Sequence, residues 1–372
     1  MGKRELLIVL AFIVAGTIAF QFSAPPAKAG STGFSLSKLI DTAKRGMQGN
    51  QSYAAPPRTV IYAVGANVTE IRLAGSAGPM KILGEDRADV ALELIVNSTG
   101  ESEAAAIATA NKTEITEDRV GGVLALAFKF PEEETQTSRA VVKVPRRLAV
   151  RINGNRDTTI SNVRSVEFVG PMRNTTLVDH IAGTVTGEQS GGTITLTAIK
   201  ALKMTLTRSR ARVSDIADEM SLDVRDGDTE IAGSRGPLII ETRRGDITIR
   251  GHKGPVKISG TDGQVRIEGA TDEVHLDLRR AEVDAELASG ISGSLTTSDE
   301  ELRVTWRDPA AVQVEAVTSN GAIDVADWNL TPTKSSVDAR LDATLGATTP
   351  TTARVLLRNQ GANIVIKKSS KK

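Results

Sequence analysis

The sequence predicts an all-β, single-domain β-solenoid: a β-helix-like stack of nine-residue half-rungs. It also predicts one short helix in an N-terminal capping region and an N-terminal signal or anchor helix. Three observations lead there. First, apolar pairs recur every nine residues through residues 202–285. They are Leu202/Met204, Ala211/Val213, Met220/Leu222, Thr229/Ile231, Leu238/Ile240, Ile247/Ile249, Val256/Ile258, Val265/Ile267, Val274/Leu276 and Val283/Ala285, with Thr229 the only polar member. Second, glycine keeps the same beat at Gly227, Gly236, Gly245, Gly254 and Gly263, and an out-of-phase series runs Gly233, Gly251, Gly260 and Gly269. Third, the residues between and after each pair are mostly polar, as in Thr248 and Arg250, Lys257 and Ser259, Arg266 and Glu268, His275 and Asp277.

Two aliphatic residues separated by one residue share a face of a strand, so this alternation marks a half-buried strand. Glycines between strands suit tight turns, where a positive φ or close backbone approach is needed. Nine residues are too few for a full coil around an apolar core, so each unit reads as half a coil. Eighteen residues then form one rung with two facing strands. Residues 18 apart should stack, placing Arg250 over Glu268 and Glu286, and Thr248 over Arg266 and Asp284. Charge alternation of this kind favours one register over its slips.

The unit resembles the calcium-binding nonapeptide G-G-x-G-x-D-x-U-x. Its ligand position, however, holds Leu238, Ile247, Val256, Val265 and Val274. Calcium takes hard oxygen ligands, which aliphatic side chains do not supply. No metal ligand and no cofactor is assigned.

Taken in order, the chain of 372 residues opens with Lys3 and Arg4, an apolar run over residues 6–20, Pro25-Pro26, and Ala27-Lys28-Ala29 as a small-x-small cleavage site. Residues 1–29 are therefore a signal peptide or a membrane anchor. Extended to residue 22, the apolar segment would span about 25 Å as a helix, so both alternatives stay open. Either way the protein is exported, to the periplasm or cell surface, tethered to the inner membrane by residues 6–22 if the leader is kept. Residues 30–57 form a tether, with a short helix at 37–47 as an option and Lys38, Lys44 and Arg45 as juxtamembrane positives.

Residues 58–152 read as a β-rich cap for the solenoid. Val90-Leu92-Leu94-Val96 and Leu124-Leu126-Phe128-Phe130 alternate as strands, and the alanine-rich 101–110, acidic at its start, predicts the short helix. Residues 142–152 read as strand, kink, strand. Residues 153–369 carry the repeats, first in a looser register with Val166/Phe168, Thr175/Leu177 and Ile194/Leu196 inward. Beyond residue 285 the expected inward pairs are Leu302/Val304, Val312/Val314 and Ile323/Val325. A Thr/Pro-rich loop insertion is expected at 329–352, followed by Val355/Leu357 and Ile364/Ile366 and a disordered basic tail over 367–372.

This order of parts resembles the DUF4097 putative-adhesin family, also called toastrack domains. The resemblance rests on the V-x-V-P-R-x-L-x-V-x-I segment at 142–152, the rungs Gly227-Asp228 and Gly245-Asp246-Ile247-Thr248-Ile249, and the closing Asn363-Ile364-Val365-Ile366. It covers roughly residues 63–368. It implies a single β-solenoid in the bacterial envelope, with no catalytic residues to transfer. Family members often accompany envelope-stress membrane modules, which implies sensing or scaffolding.

Composition narrows the function. A net charge of +1 provides no field for nucleic acid, 3% aromatic content provides few stacking platforms, and the absence of cysteine removes thiolate chemistry. The three histidines are far apart; His252 reads as a turn residue and His275 as an outward strand residue. Two clusters could serve a polysaccharide-active enzyme: Asp215/Asp218/Glu219 and Asp277/Arg279/Arg280/Glu282. Both lie where every outward position is polar, so a solvated face accounts for them. No catalytic residue is assigned, and the chain reads as no enzyme. Arg244-Gly245-Asp246 resembles an adhesion tripeptide but occupies ordinary turn positions of the repeat. Asn67, Asn97, Asn111, Asn174 and Asn329 head Asn-x-Ser/Thr sites that a Thr-rich chain produces by chance.

The expected role is a non-catalytic scaffold, adhesin-like or partner-binding module. Its partner would be an envelope protein, a glycan or itself, and not nucleic acid. A membrane-tethered envelope-stress sensor is the alternative.

Overall fold

The computed structural model describes residues 51–369 except 133, 155, 307–310 and 347–352. The leader, the tether through residue 50 and the short helix expected at 37–47 lie outside the described residues. Ser52–Lys372 form one compact unit; of the other, Met1–Gln51, only Gln51 is described. No helix among the described residues is long and apolar enough to cross a membrane.

The described chain is nearly all β, with one α-helix, Glu103–Asn111, and one 3-10 turn, Ala326–Trp328. The helix falls where the alanine-rich segment placed it. Ser102 caps it by accepting the Ala105 N–H at 3.3 Å, and Ala106 and Ala110 turn inward.

Strand pairing is dominated by parallel neighbours 18 residues apart. Leu238 lies beside Val256 and Val256 beside Val274; Ile247 lies beside Val265 and Val265 beside Val283. Two columns of strands result. Face A contains residues 228–232, 246–250, 264–268 and 282–286, and face B contains 220–225, 238–243, 256–261 and 274–279. Every apolar pair from Leu202/Met204 to Val283/Ala285 is buried, Thr229 included, and the aliphatic members belong to one continuous core. Each such side chain contributes roughly 1.5–3 kcal/mol of burial, most of it offset by the entropy of ordering the chain.

Four expectations are corrected. Successive half-rungs are not always separated by turns: Leu238–Arg250, Val256–Ala270 and Val274–Leu287 are continuous strands that cross from face B to face A. At the bend, Arg244 and Arg280 are the single positive-φ residues of the first and third strands, whereas Asp262 is flanked by Gly260 and Gly263, also at positive φ, in the second. One residue in the left-handed region redirects the chain without ending its pairing, so this corner is a bend and only the other corner is a turn.

The pair Thr175/Leu177 is out of phase. Thr176 and Val178 point inward and Leu177 is 41% exposed, because the step from Val166/Phe168 is ten residues rather than nine. A one-residue slip exchanges the two faces of a strand.

Residues 329–352, expected as a loop, contain the strands Thr333–Lys334 and Asp338–Gly346. The longer runs antiparallel to Ala311–Ser319 and buries Ala339, Leu341 and Leu345. Finally, Lys367 and Lys368 belong to the last strand, Ile364–Lys368, and not to a tail.

The ends break sequence order in matching ways. Glu70–Ala74 and Met80–Glu85 lie between later strands: the first pairs with Val123–Lys129 and Ala149–Asn153, the second with Gln136–Pro145 and Thr158–Ser161. At the other end Ala353–Gln360 and Ile364–Lys368 slot between Gly293–Ser298/Leu302–Trp306 and Ala311–Ser319/Ile323–Asp324. Antiparallel strands then close each end, Arg58–Ala63 on Asp89–Thr99 and Glu114–Val120 on Val123–Lys129 at one, Asp338–Gly346 at the other. Parallel pairing runs straight through residue 152, the expected limit of the cap.

Candidate functional site

The surface chemistry follows from the register. Outward residues of successive rungs fall in straight columns along both faces. On face A, Arg250 bonds to Glu230 on one side and to Glu268 at 3.3 Å on the other, while Arg266 meets Asp284 at 3.7 Å. Arg210–Asp228 at 3.6 Å and Arg212–Glu230 at 3.9 Å extend the pattern. These pairs are exposed and individually weak, so they set register more than stability.

Face B carries parallel stripes of different sign. One column runs Lys203, Ser221, Ile239, Lys257, His275; the next runs Thr205, Asp223, Glu241, Ser259, Asp277; the third runs Thr207, Arg225, Arg243, Thr261, Arg279. A hollow of roughly 400 Å³ opens over the first two columns, between Lys203, Ile239, Asp223 and Glu241. Ile239, 39% exposed, gives it an apolar floor beside mixed charge.

The bend between the faces holds a column that the sequence reading missed. Arg208, Asp226, Arg244, Asp262 and Arg280 follow one another at 18-residue steps, all at positive φ between 48° and 59°. Non-glycine residues pay roughly 1–2 kcal/mol for that conformation. Here the bends are tied together by charge. Arg244 donates to both oxygens of Asp226 at 2.5 and 3.0 Å, and Arg280 donates to both of Asp262 at 2.7 and 3.2 Å. The hydrogen bond from Arg244, then its charge, holds the Asp226 carboxyl below the usual carboxylate range; Arg280 does the same for Asp262. The Arg/Asp alternation at this spacing was the available signal.

The second earlier cluster is not brought together. Asp277 and Arg279 face outward on face B, Glu282 lies on face A, and Arg280 is committed to Asp262 at the bend between them. Asp215 occupies a positive-φ turn position, and the Glu219 carbonyl accepts the Leu202 N–H at 3.0 Å. In Arg244-Gly245-Asp246, the arginine is bonded to Asp226, the glycine is buried, and an Asp246 carboxylate oxygen accepts the Gln264 N–H at 3.1 Å. The positions that would ligate calcium, Leu238, Ile247, Val256, Val265 and Val274, are at most 1% exposed. Among the described residues no three His, Cys, Asp or Glu side chains are grouped to hold a metal. His275 is an outward strand residue as expected, bonded to Glu273 at 2.8 Å, but His252 is turned inward and fully buried.

No family model matches the sequence. No curated protein matches it either. Among solved structures, a protein from Clostridium sporogenes described as a "putative cell adhesion protein" is 12% identical, with 84% of this chain and 100% of that one covered, at a TM-score of 0.22. A "putative adhesin" from Bacteroides fragilis is 10% identical over 84% of this chain and 97% of its own, at 0.25. A "putative lipid binding protein" from Parabacteroides distasonis is 12% identical over 83% and 96%, at 0.32. Likenesses at scores this low carry no inference about this chain.

Proposed function

We propose that this chain is an exported, non-catalytic β-solenoid of the cell envelope, built as a scaffold that presents rigid faces to a protein or glycan partner or to copies of itself. The observation that carries the reading is the 18-residue register held through residues 202–286, which fixes outward side chains in columns across two faces. Ordered columns of mixed charge, with an apolar-floored hollow on one face, suit recognition by shape and charge. The splitting of the Asp277/Glu282 cluster across two faces weighs against glycan hydrolysis, which needs its two carboxyl groups on opposite sides of one bond.

In this proposal residues 1–29 are the leader, 58–152 the cap and 153–369 the repeats; the tether expected over 30–57 ends by residue 51, because Ser52–Ala54 pairs antiparallel with Asn97–Thr99. The V-P-R segment supports membership of the DUF4097 family: Pro145 ends one strand, the Leu148 N–H donates back to its carbonyl at 3.0 Å, and Ala149 begins the next. The membrane-tethered sensor is the second reading, favoured by the apolar run at 6–22. Photo-crosslinking in cells, with probes at Thr248 and Arg266 on face A and Lys257 on face B, tests the main proposal. One dominant envelope partner, or self-crosslinks, is the expected result; no crosslink from either face would overturn it. An intact mass that includes residues 1–29 is required for the sensor.

A further inference from the structure

The turn between face A and face B contains an inward column of its own: Ile199, Ile216, Ser234, His252 and Ala270, none more than 1% exposed. Its middle is unusual in both size and polarity. Two large aliphatic residues give way to Ser234, and the imidazole of His252 stands between that serine and Ala270, small residues that leave room for the ring. Neither ring nitrogen makes a hydrogen bond of normal geometry, and the Gly236 backbone is the polar group that approaches the ring. The backbone around the ring is held rung to rung: Gly251 N–H donates to Glu268 at 2.9 Å, Lys253 N–H to Ser234 at 2.9 Å, and Gly236 N–H to Lys253 at 3.1 Å. A neutral imidazole tolerates this slot better than an imidazolium, because the Gly236 backbone can serve at most one N–H and a second would be buried without an acceptor.

The charged side chains on the turns packed around the ring are Arg235, Lys253, Asp272 and Glu273, and Glu273 is engaged by His275. Burial pushes the His252 imidazole below its ordinary value, against the approach of the Gly236 backbone and the charge of Asp272, which both favour the cation. The sign follows: a base with a depressed folded pKa contributes stability that is intact above its unfolded value and is lost as pH falls through that value toward the folded one.

We propose that His252 is an acid-sensitive latch in this turn: the ring takes up a proton only when the turn opens, so acidification loosens residues 251–255 while the bend at Asp226 and Arg244 stays closed. For an exported protein this places a pH-responsive weak point in the middle of the ladder.

Hydrogen exchange on the full chain tests it. Between about pH 7.5 and about pH 5, protection factors at Gly251, Lys253 and Gly236 should fall roughly tenfold per pH unit below about 6.5. The Asp226 amide, which donates to Arg243 at 3.0 Å in the other corner, should keep its protection. His252→Val should abolish the fall. Equal loss at both corners, no loss, or loss that persists in the variant would overturn the latch. Should His252→Val not fold, the imidazole resonances of the unaltered protein decide. A His252 midpoint well below 6.5 supports the latch and one at or above 6.5 overturns it.

Discussion

At one corner of the ladder the chain bends on Arg244, Asp262 and Arg280, the arginines exposed and Asp262 half-buried, each bonded to the rung beside it. At the other it turns on Gly233, Gly251 and Gly269, also at positive φ, and sends the next residue, Ser234, His252 or Ala270, into the core. The same backbone requirement is met by charge at one corner and by the absence of a side chain at the other. The consequence is a difference in what each corner contributes. The charged bend makes only solvent-facing pairs, whereas the glycine turn is part of the hydrophobic core. Register can therefore be specified at one corner and stability at the other.

That division gives an ordered set of expectations. Ile216→Ala at the glycine turn should cost about 2–5 kcal/mol, read as a lower urea midpoint with an unchanged slope. A cost below about 1 kcal/mol would erase the distinction between the corners. Gly254→Ala should be smaller, about 1–3 kcal/mol, since its Cβ would stand 2.3 Å from the Gly236 carbonyl oxygen at a φ of 153°. Smallest of all should be Asp226→Asn with Asp262→Asn at the charged bend. Both carboxyls are held below their ordinary value of 3.8, so their contribution is present above that value and lost as pH falls through the folded pKa. Urea midpoints measured from about pH 5 to about pH 2.5 should therefore decline less steeply in the double variant, with little change near neutrality. A large loss at neutral pH would show that the bend carries stability after all.

The part of the fold that was legible in the sequence is the part with a strict local period. Leu238 and Ile240 recur nine and eighteen residues later as the same inward pair, and the pairing Leu238–Val256 follows from that spacing. Where the period shifts by one residue, at Thr176 and Val178, local pattern cannot say on which side of the shift the strand begins. The strand Asp338–Gly346 was hidden because Thr, Asp and Arg fill its outward positions and its pairing partners lie 19 to 35 residues upstream. The Arg/Asp column was masked by the expectation that positive φ means glycine. His252 is the turn residue its place between Gly251 and Gly254 suggested, but only the rung packing decides that it points inward. Of the candidate surface, the columns of face A followed from the register, while the hollow around Ile239 depends on side-chain heights that no periodicity encodes.

The order of strands at the two ends has a consequence for mechanics and folding. Residues 70–85 are clamped between 123–145 and 149–161, and residues 353–368 between 293–306 and 311–324. A pull on the C-terminal strand Ile364–Lys368 therefore loads a strand hydrogen-bonded along both edges, whereas a pull from the N-terminal side first meets Ser52–Ala54 and Arg58–Ala63, each paired along one edge with Asp89–Thr99. The same arrangement makes assembly wait: the first strands of the ladder cannot be completed until chain nearly eighty residues later has arrived, which raises contact order and slows folding. The parallel ladder is thus held near both of its ends by strands paired along two edges, which resist fraying more than a single-edged strand would.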